Sequence, residues 1–125
     1  EYSEENKLEF TFKMQGRKLF RKVCEEMDDF VADLFSKTED LKLDEMDYVI
    51  PHQASRSAME LMRKRLKISE DKWASIIHDY GNMIAASIPL ALHFAIEDQK
   101  IKRGDKVFLL GTSAGLSIGG VVLQY

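Results

Sequence analysis

The feature that most constrains this fold is a short apolar run that gives way to a polar, helix-forming stretch. Tyr48, Val49 and Ile50 are aromatic or β-branched, and such a run predicts a buried strand. Pro51 has no backbone N–H to donate to a neighbouring strand, so we expect the strand to end there. His52 then lies just beyond the carboxyl end of the strand, which is where α/β sheets usually bind ligands.

Two later loops also place small and polar residues between periodic segments. Gly81 and Asn82 follow a predicted short strand, Trp73–His78. They precede a helix that should start near residue 87, because Pro89 is tolerated only in a first helical turn. The third loop, residues 111–115, joins two strand-like runs. If all three loops lie at one sheet edge, their polar groups converge on a single pocket.

Hydrophobic periodicity predicts one α/β domain over residues 1–125, with helices on both faces of a mixed five-stranded sheet. The predicted strands are 8–14, 48–50, 73–78, 106–110 and 118–125, and the last two form an antiparallel hairpin. The predicted helices are 17–37, a second that Ser55 can cap, with Ala58, Leu61, Met62 and Leu66 on its inner face, and 87–98.

Composition limits the environment and the partners. The chain has 125 residues, of which 45% are hydrophobic, enough for a core of its own. A net charge of −3 gives no reason to expect nucleic acid as a partner. The single cysteine, Cys24, excludes an internal disulfide and favours a reducing compartment. No signal sequence or membrane-length apolar run is visible, so we expect a cytoplasmic protein; the start without Met suggests a piece of a longer one.

The motifs resemble one family. Pro51–Ala54, then Gly81–Asn82 with Ala85–Pro89, and a final Gly-rich hairpin are similar to the C-terminal half of a β-ketoacyl-ACP synthase III, a thiolase-like condensing enzyme. The similarity extends from about Phe10 to Tyr125. It implies a three-layer α/β/α half and an acyltransferase of fatty acid or related biosynthesis. It also implies acyl-CoA and malonyl-ACP as substrates, without a cofactor or a metal.

The resemblance assigns roles to three positions. His52 and Asn82 would stabilise the enolate that forms when malonyl thioester loses carbon dioxide. Their types suit this role, since a neutral imidazole offers one N–H and a carboxamide offers two. The backbone N–H of Ala114 would contribute to an oxyanion hole, although this alanine stands where the family has glycine.

Partners follow from the same resemblance. Arg56, Lys64 and Arg65 would help to bind acyl carrier protein and its pantetheine arm, although Ser57 stands where the family has its arginine nearest the pantetheine entrance. Without the resemblance, a solvated helix face is the ordinary explanation for these cations. The other implied partners are the N-terminal half of the same enzyme and a second copy in a homodimer.

No residue matches the nucleophilic cysteine of the family, which lies in the N-terminal half. Cys24 falls on the apolar face of helix 17–37 and is predicted to be a packing residue. The chain alone is therefore expected to be inactive. Two alternatives stay open: an acyltransferase in which His52 is the general base for an alcohol or amine acceptor, and a non-catalytic carrier-binding subunit.

Overall fold

The part of the chain that the structure describes forms a three-stranded mixed sheet between two layers of helices. The computed structural model describes residues 3, 6–9, 11, 15–38, 41–113 and 116–125. The helices are α1 (Gly16–Ser36), α2 (Arg56–Arg65), α3 (Ile77–Tyr80) and α4 (Ser87–Glu97). The strands are β1 (Tyr48–Pro51), β2 (Lys106–Ser113) and β3 (Ser117–Gln124). Short 3-10 turns cover Lys7–Glu9, Leu43–Glu45, Glu70–Lys72 and Ile84–Ala86.

The sheet is built around β2. β1 pairs with it in parallel, with Tyr48 opposite Val107, and β3 pairs with it antiparallel, with Lys106 opposite Gln124. The predicted C-terminal hairpin is therefore confirmed. Because parallel strands point the same way, the carboxyl ends of β1 and β2 lie at one edge of the sheet.

Successive strand residues face opposite helical layers, as the period of a strand requires. Val49 and Phe108 belong to the apolar cluster formed with α1 and α2. Ile50 and Val107 belong to a second cluster, formed with α4. α1 contributes residues at helical spacing to the first cluster: Val23, Met27, Val31 and Phe35. These two clusters confirm the predicted α/β/α layering and the predicted first helix.

α1 approaches the sheet closely at one glycine. A Cβ at Gly120 would lie 2.8 Å from Phe108 Cε2 and 2.9 Å from Leu34 Cδ2. A larger residue there would push the helix away from β3, so glycine permits this close packing.

The prediction of five strands is wrong, since three strands are found in the described part of the chain. Within the predicted strand 73–78, Trp73 makes one isolated parallel bridge with Val49, and Ile77 begins α3. The amides of Ile76 and Ile77 donate to the side chain of Gln53, so they cannot extend a strand ladder. In the predicted strand 8–14, the start lies in a 3-10 turn, and residues 10 and 12–14 lie outside the described residues.

The second helix also differs in detail from its prediction. Ser55 is the N-cap residue of α2, but its side chain caps no backbone N–H; its hydroxyl lies 3.2 Å from that of Ser57. Met59 and Met62 are buried, whereas Leu61 is 57% exposed, so the helix is rotated from the predicted inner face. Each described helix is too short or too polar to cross a bilayer.

Candidate active site

His52 lies where the sequence predicted it, immediately after β1. Its backbone N–H donates to the carbonyl of Leu110 at 2.8 Å, which ties the residue to β2. The side chain is half-buried. Burial lowers the pKa of the His52 imidazole below its ordinary value of 6.5, because the charged form loses solvation. The ring is therefore held neutral near pH 7.

Asn82 is exposed and lies just after α3. Gly81 ends that helix with φ of +66°, which a side chain would disfavour. The Asn82 Oδ1 atom accepts a hydrogen bond from the Ile84 backbone N–H at 2.9 Å. The amide nitrogen, with its two N–H donors, has no hydrogen-bond acceptor among the described residues.

Ile84 adopts an unusual backbone conformation. Its φ is +53°, a region that β-branched residues rarely occupy, and its side chain is 78% exposed. Strain of this kind costs about 1–3 kcal/mol and is concentrated at functional sites. Here it accompanies the turn that orients the Asn82 carboxamide.

The end of β1 and the start of α4 both lie close to the carboxyl end of β2. His52 follows the carboxyl end of β1. The predicted third loop is wrong at residues 111–113, which belong to β2 because they pair with residues 117–119 of β3. A Cβ at Gly111 would lie 3.7 Å from Ile88 Cδ1, so the start of α4 packs against the end of β2. Asn82 precedes that start by a single 3-10 turn. Ala114 lies outside the described residues, so its backbone N–H stays a prediction.

Sequence reasoning missed the role of Gln53. Its side chain is completely buried, and its carboxamide bonds both to Pro51, next to His52, and to the Ile76 and Ile77 amides at the start of α3. The available signal was a long polar residue two positions after a buried strand.

Two of the three predicted carrier-binding cations form ion pairs within this chain. Lys64 lies 3.2 Å from Glu60, and Arg65 makes a two-pronged contact with Asp28 of α1 at 2.9 and 3.0 Å. Arg56 is exposed at the first turn of α2 and makes no ion pair with a described residue. The patch is therefore partly neutralised by this chain's own carboxylates.

The other reactive side chains among the described residues form no second cluster. Cys24 is half-buried on α1, and burial raises the pKa of its thiol, so it is not an activated nucleophile. Among the described residues, no cluster of His, Cys, Asp and Glu could hold a metal ion. A shallow cavity of about 190 Å³ lies at the opposite end of the sheet, beside Lys106 and Gln124, and contains none of the predicted site residues.

Comparison with known proteins first defines the class of fold. The chain superposes on 3-oxoacyl-[acyl-carrier-protein] synthase III from Aquifex aeolicus VF5 with a TM-score of 0.83, at 38% identity, over 90% of this chain and 36% of that one. The enzyme of the same name from Pseudomonas aeruginosa PAO1 gives 0.84 at 28% identity, over 100% and 38%. This is the thiolase-like α/β fold, as the motifs predicted.

The family follows from the sequence matches. Residues 37–125 match the family described as "3-Oxoacyl-[acyl-carrier-protein (ACP)] synthase III C terminal". The chain therefore belongs to that family. It is 39% identical to the β-ketoacyl-[acyl-carrier-protein] synthase III of Clostridium novyi (strain NT) over 112 residues, which are 90% of this chain and 34% of that protein. The chain thus spans about a third of the length of the curated relatives it matches.

Proposed function

We propose that this chain supplies the decarboxylation half of the active site in a 3-oxoacyl-ACP synthase III of fatty acid or related biosynthesis. The observation that carries the proposal is a half-buried imidazole directly after the carboxyl end of β1, where burial lowers the pKa of His52. The Asn82 carboxamide adds support, because its N–H₂ has no acceptor among the described residues. The substrates would be malonyl-ACP and an acyl group taken from acyl-CoA.

The two donors fit the hard step of this reaction. When the carboxylate leaves malonyl thioester as carbon dioxide, the electron pair of the broken C–C bond moves toward the thioester oxygen. Donors that already point at that oxygen stabilise the enolate without reorganising. Asn82 is prepared for this role, because Ile84 occupies its oxygen and leaves its N–H₂ available.

The test is to replace each donor in the full-length enzyme. His52→Ala and Asn82→Ala should each slow malonyl decarboxylation by about 100- to 1000-fold, the usual cost of losing one such donor. Self-acylation of the enzyme's nucleophile should survive in both. His93→Ala is the control, because His93 is an exposed residue of α4 that pairs with Glu97. Variants that lost acylation but kept decarboxylation would contradict the assignment.

The nucleophile would come from the remaining two thirds of the enzyme. The full-length enzyme would form a homodimer. The raised pKa of the Cys24 thiol and its packing against the core support this division of the site. The chain alone should therefore show no condensing activity. Intact-mass analysis after incubation with an acyl thioester and malonyl carrier checks this; acylation of Cys24 with release of carbon dioxide would refute it.

We also propose that α2 receives the acidic carrier protein through Arg56, Lys64 and Arg65. In the full-length enzyme, the double variant Lys64→Glu/Arg65→Glu should weaken carrier binding by roughly tenfold and flatten its salt dependence. Asp28→Asn is the matched control, because it breaks the Arg65 ion pair but keeps the cation. The idea fails if the double variant binds like the parent, or if Asp28→Asn weakens binding equally.

A further inference from the structure

The Gln53 carboxamide is the most fully bonded buried polar group near the site. Its side chain is 0% exposed. Nε2 donates to the carbonyls of Pro51 at 2.8 Å and Ala74 at 3.3 Å. Oε1 accepts from the backbone N–H groups of Ile76 at 2.9 Å and Ile77 at 3.1 Å. The amide therefore uses both of its donors and both acceptor positions.

This network ends beside the two proposed enolate donors. On one side, Gln53 directly follows His52 in the chain. On the other, the carbonyl of Ile77, whose N–H is bound to Gln53, accepts from the Gly81 N–H at 3.0 Å, and Gly81 directly precedes Asn82. Two hydrogen bonds and neighbouring peptide units thus connect the positions of His52 and Asn82.

The chemistry of this position specifies an amide. Two carbonyls need donors and two N–H groups need an acceptor, and a buried group left without a partner costs about 1–3 kcal/mol. A Glu carboxylate has no N–H to offer the carbonyls of Pro51 and Ala74, and a Met side chain of similar size satisfies none of the four groups. A residue that served only to fill space would not need these bonds.

We propose that Gln53 is a positioning residue that fixes the relative placement of His52 and Asn82 and so aligns their donors on the thioester oxygen. The inference rests on the proposed function. It extends that function to a side chain that does not touch the substrate. Displacing a reacting group by about 1 Å can cost on the order of 100-fold in rate, so release of the Gln53 bonds should act on the decarboxylation step.

The main test uses Gln53→Met in the full-length enzyme, at a temperature where circular dichroism shows it folded. We expect kcat for malonyl decarboxylation to fall by about tenfold to 100-fold. The KM for malonyl-ACP and the rate of self-acylation should change by less than about threefold, because the nucleophile lies elsewhere. Loss of decarboxylation and self-acylation in equal proportion would indicate a purely structural role and overturn the proposal, as would an unchanged decarboxylation rate.

A second variant, Gln53→Glu, keeps the size of the side chain and adds a pH-dependent donor. When protonated, its carboxyl can donate an O–H where Gln53 donates to Pro51, and when ionised it cannot. The ratio of its decarboxylation rate to that of the parent should therefore rise as the pH falls. A ratio independent of pH would overturn the proposal. If Gln53→Met does not fold, this experiment alone tests the positioning role of Gln53.

His52→Ala, measured in parallel, separates a failure of the proposed function from a failure of the positioning role of Gln53. If His52→Ala keeps its decarboxylation, the proposed function itself is wrong. If His52→Ala loses decarboxylation while Gln53→Met keeps it, the function stands and only the positioning role fails.

Discussion

The His52 and Asn82 segments are held in place in different ways. The His52 segment is fixed by long-range contacts, since its backbone is bonded to β2 and the next side chain is buried. The Asn82 segment is fixed by a local turn, between Gly81 at φ +66° and Ile84 at φ +53°. The first arrangement depends on the core, and the second depends on backbone conformations that most residues avoid.

The contrast indicates which parts of the site this chain completes alone. Around His52 the chain supplies enough enclosure to lower the imidazole pKa. Around Asn82 it leaves Ile84 78% exposed, so no burial by described residues offsets the strain there. In the proposed full-length enzyme, we expect the remaining two thirds to cover the Asn82 side.

The largest effect on stability is expected from Gly81→Ala, which disrupts the local turn before Asn82. Its φ of +66° and ψ of −158° suit glycine, so alanine should lower the free energy of unfolding by about 1–3 kcal/mol. The cost is conformational, because no atom lies within 4 Å of the added Cβ. Urea denaturation measures it.

Gly104→Ala is the matched control for that change. Gly104 has φ of +100° and open space around it, but it lies in the turn before β2, far along the strand from His52. It should lose similar stability, yet only Gly81→Ala should also slow decarboxylation in the full-length enzyme. Equal activity in the two variants would show that the Asn82 turn does not matter for function.

A smaller effect of opposite sign is expected from Ile84→Gly. Relief of about 1–2 kcal/mol of left-handed strain is partly offset by the ~0.5–1 kcal/mol entropic cost of glycine. The variant should therefore be more stable by up to about 1 kcal/mol, and it keeps the N–H that binds Asn82. Val121→Gly, at an exposed residue within β3, should be destabilising. If both changes destabilised equally, Ile84 would not be strained.

The smallest expected effect is the pH dependence of stability that arises from the His52 imidazole. The folded state holds the pKa of His52 below 6.5, so on acidification the unfolded state takes up this proton first. The contribution to stability is present above about pH 6.5 and is lost as the pH falls through the folded pKa. Comparing urea unfolding of the parent and His52→Gln over that range isolates the contribution. An NMR titration placing the pKa at or above 6.5 would contradict the described burial.

Local features of this fold could be predicted from the sequence, whereas its long-range contacts could not. α1, the hairpin and the position of His52 after β1 follow from local periodicity and turn residues, and the structure has them where they were expected. Asn82 was expected after a strand, but it follows α3. The absence of the strand predicted at 73–78 could not be foreseen from local sequence. Two of its amides, those of Ile76 and Ile77, bind Gln53, which is more than twenty positions away. The Arg65–Asp28 pair spans 37 positions and was equally invisible. Side-chain contacts of such range depend on the packed fold.

The mixed parallel and antiparallel pairing of the sheet also implies an order in which its strands fold. β2 and β3 are joined by a short turn, so we expect their hairpin to form early. β1 can join only after a long loop closes: the side chain of Asp47 meets the Lys106 backbone N–H across 59 positions. Closing such a loop is slow, because its entropy is lost before the contacts form. The bond from His52 to Leu110 belongs to that late step, so an arrested folding intermediate would hold a finished hairpin with His52 not yet in place.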